Sequence, residues 1–73
     1  MKFNQKIGKL IKDLREKKGL TLEKLAYESE FSKGGLSEIE RGLREIKISS
    51  LEKLCATLEI SLSDFFEQYE KYN

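Results

Sequence analysis

Apolar residues near the start of the chain recur with helical spacing. Phe3, Ile7, Leu10, Ile11 and Leu14 stand at i, i+4, i+7, i+8 and i+11, one face of an α-helix. Gly19, just after Lys17 and Lys18, fits a helix C-terminus with cations in its last turn. The pattern then breaks into shorter stripes: Leu22, Leu25 and Ala26, then Leu36, Ile39 and Leu43, then Leu51, Leu54, Cys55 and Leu58. Three helix starts share one signature. Thr21 lies between Leu20 and Leu25, Ser32 between Phe31 and Leu36, and Ser61 between Ile60 and Phe65. A capping hydroxyl with apolar residues before and after it is the hydrophobic staple. These signals predict helices over 4–18, 21–28, 32–41, 48–58 and 61–70, with Gly42 ending the third and the fourth starting near Lys47 or Ser49. Ile46-Lys-Ile-Ser alternates like a strand but is too short to stand alone. The expected architecture is all-α: a compact five-helix bundle with short linkers, forming a single domain over 1–73.

Composition narrows the chemistry. The 73 residues contain no His, Pro or Trp and one cysteine. Cys55 falls at helical core spacing, where a free thiol behaves as a small buried hydrophobe, and no disulfide framework is available. No apolar run reaches the roughly 20 residues a membrane span needs, and no secretory signal follows Lys2, so a cytoplasmic protein is expected. With no nucleophile–base pair, no metal cluster and no phosphate-binding glycine loop, the residues point away from an enzyme. No cofactor and no small-molecule ligand is expected.

Net charge is +1, but it is unevenly spread: residues 1–18 hold seven Lys/Arg and two Asp/Glu, and residues 59–73 hold one Lys and four acids. A basic end and an acidic end would orient the domain on a polyanion. The other reading of Lys2, Lys6, Lys9, Lys12, Lys17 and Lys18 is a solvated helix face.

The segment Leu20–Gly42 carries the functional signal. It reads as two short helices joined by a tight turn, with small Ala26 where the two backbones approach. That is a helix-turn-helix layout, whose second helix enters the DNA major groove. The pattern Ile7-Gly8-Lys9, Leu14-Arg15, Gly19-Leu20-Thr21, Leu25-Ala26, Ser32, Leu36-Ser37, Ile39-Glu40-Arg41-Gly42, Leu51, Leu54, Leu58 and Ile60-Ser61-Leu62 resembles the Cro/phage-repressor type helix-turn-helix family, across about residues 7–66. The stretch Arg44 to Leu54 lacks a proline that many members carry near Ile46. It looks more like the short controller proteins of restriction–modification systems.

The resemblance implies a lambda-repressor-like bundle in which 21–28 is the positioning helix and 32–41 the recognition helix. It places Arg15 and Glu40 where the family often has an interior ion pair. It also implies a homodimer through the C-terminal helix, with Phe65, Phe66 and Tyr69 as interface candidates. The residues themselves supply candidates for DNA. Ser32, Lys33, Gly34 and Ser37 lie early on the recognition helix, with Lys33 placed for a base or phosphate. Arg41, Arg44 and Lys47 follow it and would grip the phosphate backbone. Lys9 would reach an adjacent phosphate, and Thr21 opens a helix whose backbone N–H groups could take another.

Five positions depart from the family pattern. Leu22 stands where the family usually has a backbone-contacting glutamine, and Glu30 replaces a common turn glycine. Gly34 and Gly35 occupy the first turn of the recognition helix, where base-reading side chains are usual, and Glu38 places an acid where phosphate would be repelled. Two functions follow from these facts. One is a sequence-specific DNA-binding transcriptional regulator acting on operator DNA. The other is a protein-interaction module, an adaptor or antitoxin-like partner, on the same fold.

Overall fold

Where a hydroxyl was expected to open a helix, it does. In the computed structural model, which describes residues 2–72, α2 (Leu22–Glu28), α3 (Lys33–Glu40) and α5 (Leu62–Lys71) follow Thr21, Ser32 and Ser61. Each hydroxyl oxygen accepts from the backbone N–H three residues on, Lys24, Gly35 and Asp64, at 3.0 Å. Such a cap holds roughly 1 kcal/mol of helix stability. The first helix, α1 (Phe3–Lys17), and the fourth, α4 (Ile48–Thr57), lack this device. Lys47, and not Ser49, stands at the start of α4, and an ammonium has no lone pair to offer an amide.

The first four helices end in one way. The N–H of Leu20, Phe31, Leu43 and Ile60 reaches back to the carbonyl of Arg15, Ala26, Glu38 and Cys55 at 2.8–3.1 Å. This is the six-to-one bond of the Schellman motif. The residue that turns each corner is left-handed: Gly19 at φ 72°, Glu30 at 62°, Gly42 at 75° and Glu59 at 59°. Glycine adopts this conformation freely, whereas a Cβ costs about 1–2 kcal/mol. Glu30 and Glu59 keep an ion pair there, with Lys53 and Lys18, but exposed pairs contribute little. Glu30→Gly and Glu59→Gly are each expected to raise stability by about 0.5–1 kcal/mol, part of the relief being offset by a more flexible unfolded chain. Urea unfolding of the two variants and their double checks this, and the distant sites should add.

Apolar faces meet in one core of Ile7, Leu10, Ile11, Leu25, Ala26, Leu36, Ile39, Leu51, Leu54, Cys55, Leu58 and Phe65. Burial pushes the Cys55 thiol up to about 11, so it stays protonated and inert near neutrality. Ser29, at the end of α2, is buried and donates to Thr57 Oγ1 at 2.9 Å, and Thr57 donates on to the Lys53 carbonyl at 3.2 Å. The Tyr72 hydroxyl donates to Asp13 and ties the end of α5 to α1.

Two sequence expectations are corrected. Leu43 does not extend the stripe of Leu36 and Ile39. It is 67% exposed, because α3 stops at Glu40 and the left-handed Gly42 turns the chain away. Phe65, expected at a dimer interface, is 0% exposed and sits at the centre of the core. No helix among the described residues is long and apolar enough to cross a membrane.

Candidate nucleic-acid interface

Helix α3 presents two sides. Gly35, Leu36 and Ile39 are buried against the globule. At 3.6 residues per turn, Gly34, Ser37, Glu38 and Arg41 then fall on the opposite side. Gly34 and Arg41 are exposed, and Ser37 and Glu38 are half-buried. No other described residue covers this ridge at Gly34: a Cβ added there would meet nothing within 4 Å. Gly35 differs. Its Cβ would lie 2.9 Å from Ser32 Oγ and 3.6 Å from an Arg44 guanidinium nitrogen. So Gly35 makes room for the capping hydroxyl, with Arg44 at ordinary contact distance, whereas no described residue requires Gly34.

Two of the cations around α3 are held by acids. Lys33 Nζ lies 2.9 Å from Glu23 Oε2, and Arg44 NH2 lies 2.7 Å from Glu38 Oε1. The hydrogen bond from Lys33 holds the Glu23 carboxyl below the usual range. Arg44 therefore folds back along α3 in place of reaching outward from the following loop. Arg41 is exposed on the outward ridge, and Lys47 is exposed at the start of α4, whose first amides have no side-chain cap. An ammonium beside bare helix amides suits a phosphate. Thr21 fits that purpose less well. Its hydroxyl is engaged in capping, and Glu23 in the first turn of α2 would repel an anion. Lys9 is exposed on α1 next to Gly8, which crosses the last carbonyls of α3, at the opposite end of that helix from Lys33.

An ion pair ties the end of α3 to α1. Arg15 Nε donates to Glu40 Oε2 at 2.8 Å and its NH2 to Oε1 at 3.1 Å, while NH1 donates to the Leu20 carbonyl at 2.8 Å. The side chains are 11% and 6% exposed. The hydrogen bond to Glu40 raises the Arg15 pKa above its ordinary value. One guanidinium thus joins α1, the turn before α2, and the last residue of α3.

Tyr27 has no place in the sequence-level site. It is 82% exposed and lies four residues after Glu23 on the same face of α2 as that partner of Lys33. A single aromatic on a polar helix face gives little signal until the neighbouring helix is placed. Its hydroxyl is of a kind that donates to phosphate.

On the far side, the aromatic residues of α5 engage α1. Tyr69 packs 5.4 Å from Phe3, Lys6 Nζ lies 4.1 Å above the Tyr69 ring, and Phe66 meets Phe65 edge-on at 5.4 Å. Phe66 and Tyr69 are half-buried, and Phe3 is 58% exposed. Among the described residues no cluster of His, Cys, Asp and Glu is placed to hold a metal ion.

Comparison with known proteins agrees with this geometry. The helix-turn-helix family matches residues 11–65. The chain is 41% identical over 70 residues to the transcriptional regulator SlrR of Bacillus subtilis, covering 89% of this chain and 46% of SlrR. It is 37% identical over 71 residues to the control protein C.MunI of a Mycoplasma species, covering 97% of this chain and 92% of that protein. The chain thus spans less than half of one relative and nearly all of the other. Among solved structures, the restriction–modification controller C.Esp1396I, crystallised as a tetramer with its natural 35 base-pair operator, superposes with a TM-score of 0.88 at 40% identity, over 97% of this chain and 95% of that one.

Proposed function

This chain belongs to the helix-turn-helix family, and from that premise we propose that it is a sequence-specific DNA-binding transcriptional regulator. It binds operator DNA as a homodimer, with α3 in the major groove and residues 1–73 acting as one DNA-binding domain. The observation that carries this reading is the outward ridge of α3, where Gly34 and Arg41 are exposed and Ser37 and Glu38 half-exposed, while the opposite side is packed against the core. An eight-residue helix is about 12 Å long, which suits the width of the groove.

Ser37 hydrogen-bonds a base edge or phosphate, and Lys33 donates to a base or to the nearer phosphate once it leaves Glu23. Arg41 and Lys47 hold the phosphate backbone on one side, and the Tyr27 hydroxyl and Ser32 hold it on the other. The dimer forms through Phe3, Phe66 and Tyr69, where α1 and α5 leave aromatic surface exposed. Two recognition helices then face one side of the duplex about 34 Å apart. The short-controller class offers the nearest biological setting, in the cytoplasm where the DNA is accessible.

Selection of bound sequences from a random duplex library tests the reading. The expected outcome is a palindromic consensus with half-sites roughly 10 base pairs apart, centre to centre. The logarithm of the affinity should fall linearly with log salt, and Lys33→Ala should lower that slope by about 1. One observation favours a second reading. Lys33 and Arg44 are already held by Glu23 and Glu38, as in an interaction module that has lost DNA. Failure to bind any duplex at low salt would select that reading.

A further inference from the structure

Glu38 is an acid on the ridge that faces DNA, and nothing in the fold requires it. Its side chain is 42% exposed, and its carboxylate holds Arg44 at 2.7 Å. The guanidinium in turn lies over Gly35, 3.6 Å from where a Cβ would be, ordinary contact distance. One turn earlier on the same ridge, Gly34 is bare. Helical side chains lean toward the N-terminus, so the Glu38 carboxylate has open space ahead of it and no neighbour at Gly34 to shield it from a base edge.

We propose that Glu38 is a specificity-determining residue: it accepts a hydrogen bond from the exocyclic amino group of a cytosine in the major groove, and it holds Arg44 back from phosphates of non-cognate DNA. The inference rests on the DNA-binding reading above and adds to it. A carboxylate offers acceptors only. Of the base edges in the major groove, the cytosine N4 amino group is the one carboxylates characteristically read. Guanine and thymine present acceptors at that edge and repel the charge, and adenine sets its amino group beside the N7 acceptor, so on those bases Arg44 stays paired and unavailable. On a matching site the cytosine amino group replaces Arg44 as the donor to Glu38. Arg44 is then freed for the guanine opposite or for an adjacent phosphate, so discrimination comes from both partners of one ion pair.

The test compares the wild-type chain with Glu38→Gln in two measurements: selection from a random duplex library, and fluorescence anisotropy on the selected and a scrambled duplex over a salt series. Circular dichroism melting confirms that the variant is folded. The wild-type consensus should contain a cytosine in each half-site that Glu38→Gln no longer requires. Replacing that cytosine by thymine should weaken wild-type binding about tenfold and leave the variant nearly unaffected. Scrambled duplex should bind the variant several-fold more tightly, with a steeper salt slope. An identical consensus from both proteins, with affinity raised equally on every duplex, overturns the role of Glu38 while leaving DNA binding intact. Failure of both proteins to bind any duplex overturns the DNA-binding reading and this inference with it.

Discussion

Arg15→Ala is expected to lower stability by about 3–5 kcal/mol, the usual consequence of removing one partner from a buried ion pair. The substitution strands the Glu40 carboxylate, which is only 6% exposed and now receives its hydrogen bonds from Arg15. It also leaves the Leu20 carbonyl without its side-chain donor at the turn into α2. A domain of this size has on the order of 4–11 kcal/mol in total, so much of the folded population is at risk. Urea unfolding measures the loss. Glu40→Gln should cost less, since the amide still accepts from the guanidinium. Arg15→Met with Glu40→Leu should recover most of the loss, because a well-packed apolar pair avoids desolvating two charges. The protein that remains folded should bind DNA nearly as the parent does, since neither side chain lies on the outward ridge of α3. A melt unchanged by Arg15→Ala would remove the pair from any role in holding α3.

The parts of this molecule legible in its sequence are those set by local rules. Thr21, Ser32 and Ser61 announce three helix starts because capping depends on a hydroxyl and the amide three residues on. Gly19 and Gly42 announce two stops because their corners are left-handed. The corners at Glu30 and Glu59 have the same geometry without a glycine. At Glu30 the only hint is that the family commonly has a turn glycine there, and Glu59 carries no signal. The fourth helix start was ambiguous because Lys47 provides no cap. Leu43 illustrates the limit of periodicity, since an apolar residue keeps helical register in a sequence past the point where the helix has ended.

The site was legible as a list of residues but not as an electrostatic arrangement. Lys33 and Arg44 are separated from Glu23 and Glu38 by ten and six residues, and no helical spacing connects them. Only the crossing of α2 on α3 and the return of the loop after Gly42 bring each pair together. Phe65 and Phe66 could not be told apart from composition. Adjacent helix positions point about 100° apart, and that angle separates the core from the surface here.

Gly8→Ala is expected to be the most damaging single-methyl change in the chain, costing about 3 kcal/mol or more. A Cβ at Gly8 would lie 2.1 Å from the Ile39 carbonyl oxygen and 2.8 Å from that of Glu40. Both obstacles are backbone at the end of α3 and cannot rotate away. In an unobstructed helix the same change would add roughly 1 kcal/mol of helix propensity. Here it must instead force α1 off α3, at the upper end of what overpacking costs or beyond it. Arg15 lies two turns along α1 on the same face as Gly8, so a lifted α1 also spoils the alignment of the guanidinium with Glu40. The two losses are therefore coupled, and Gly8→Ala with Arg15→Ala should cost less than the sum of the singles. Gly34→Ala is the matching control: with open space around its Cβ, it should stabilise the free protein by up to about 1 kcal/mol. Thermal and urea unfolding of the two glycine variants side by side decide the matter. Should Gly8→Ala melt with or above the parent, α1 does not cross α3 at the contact described.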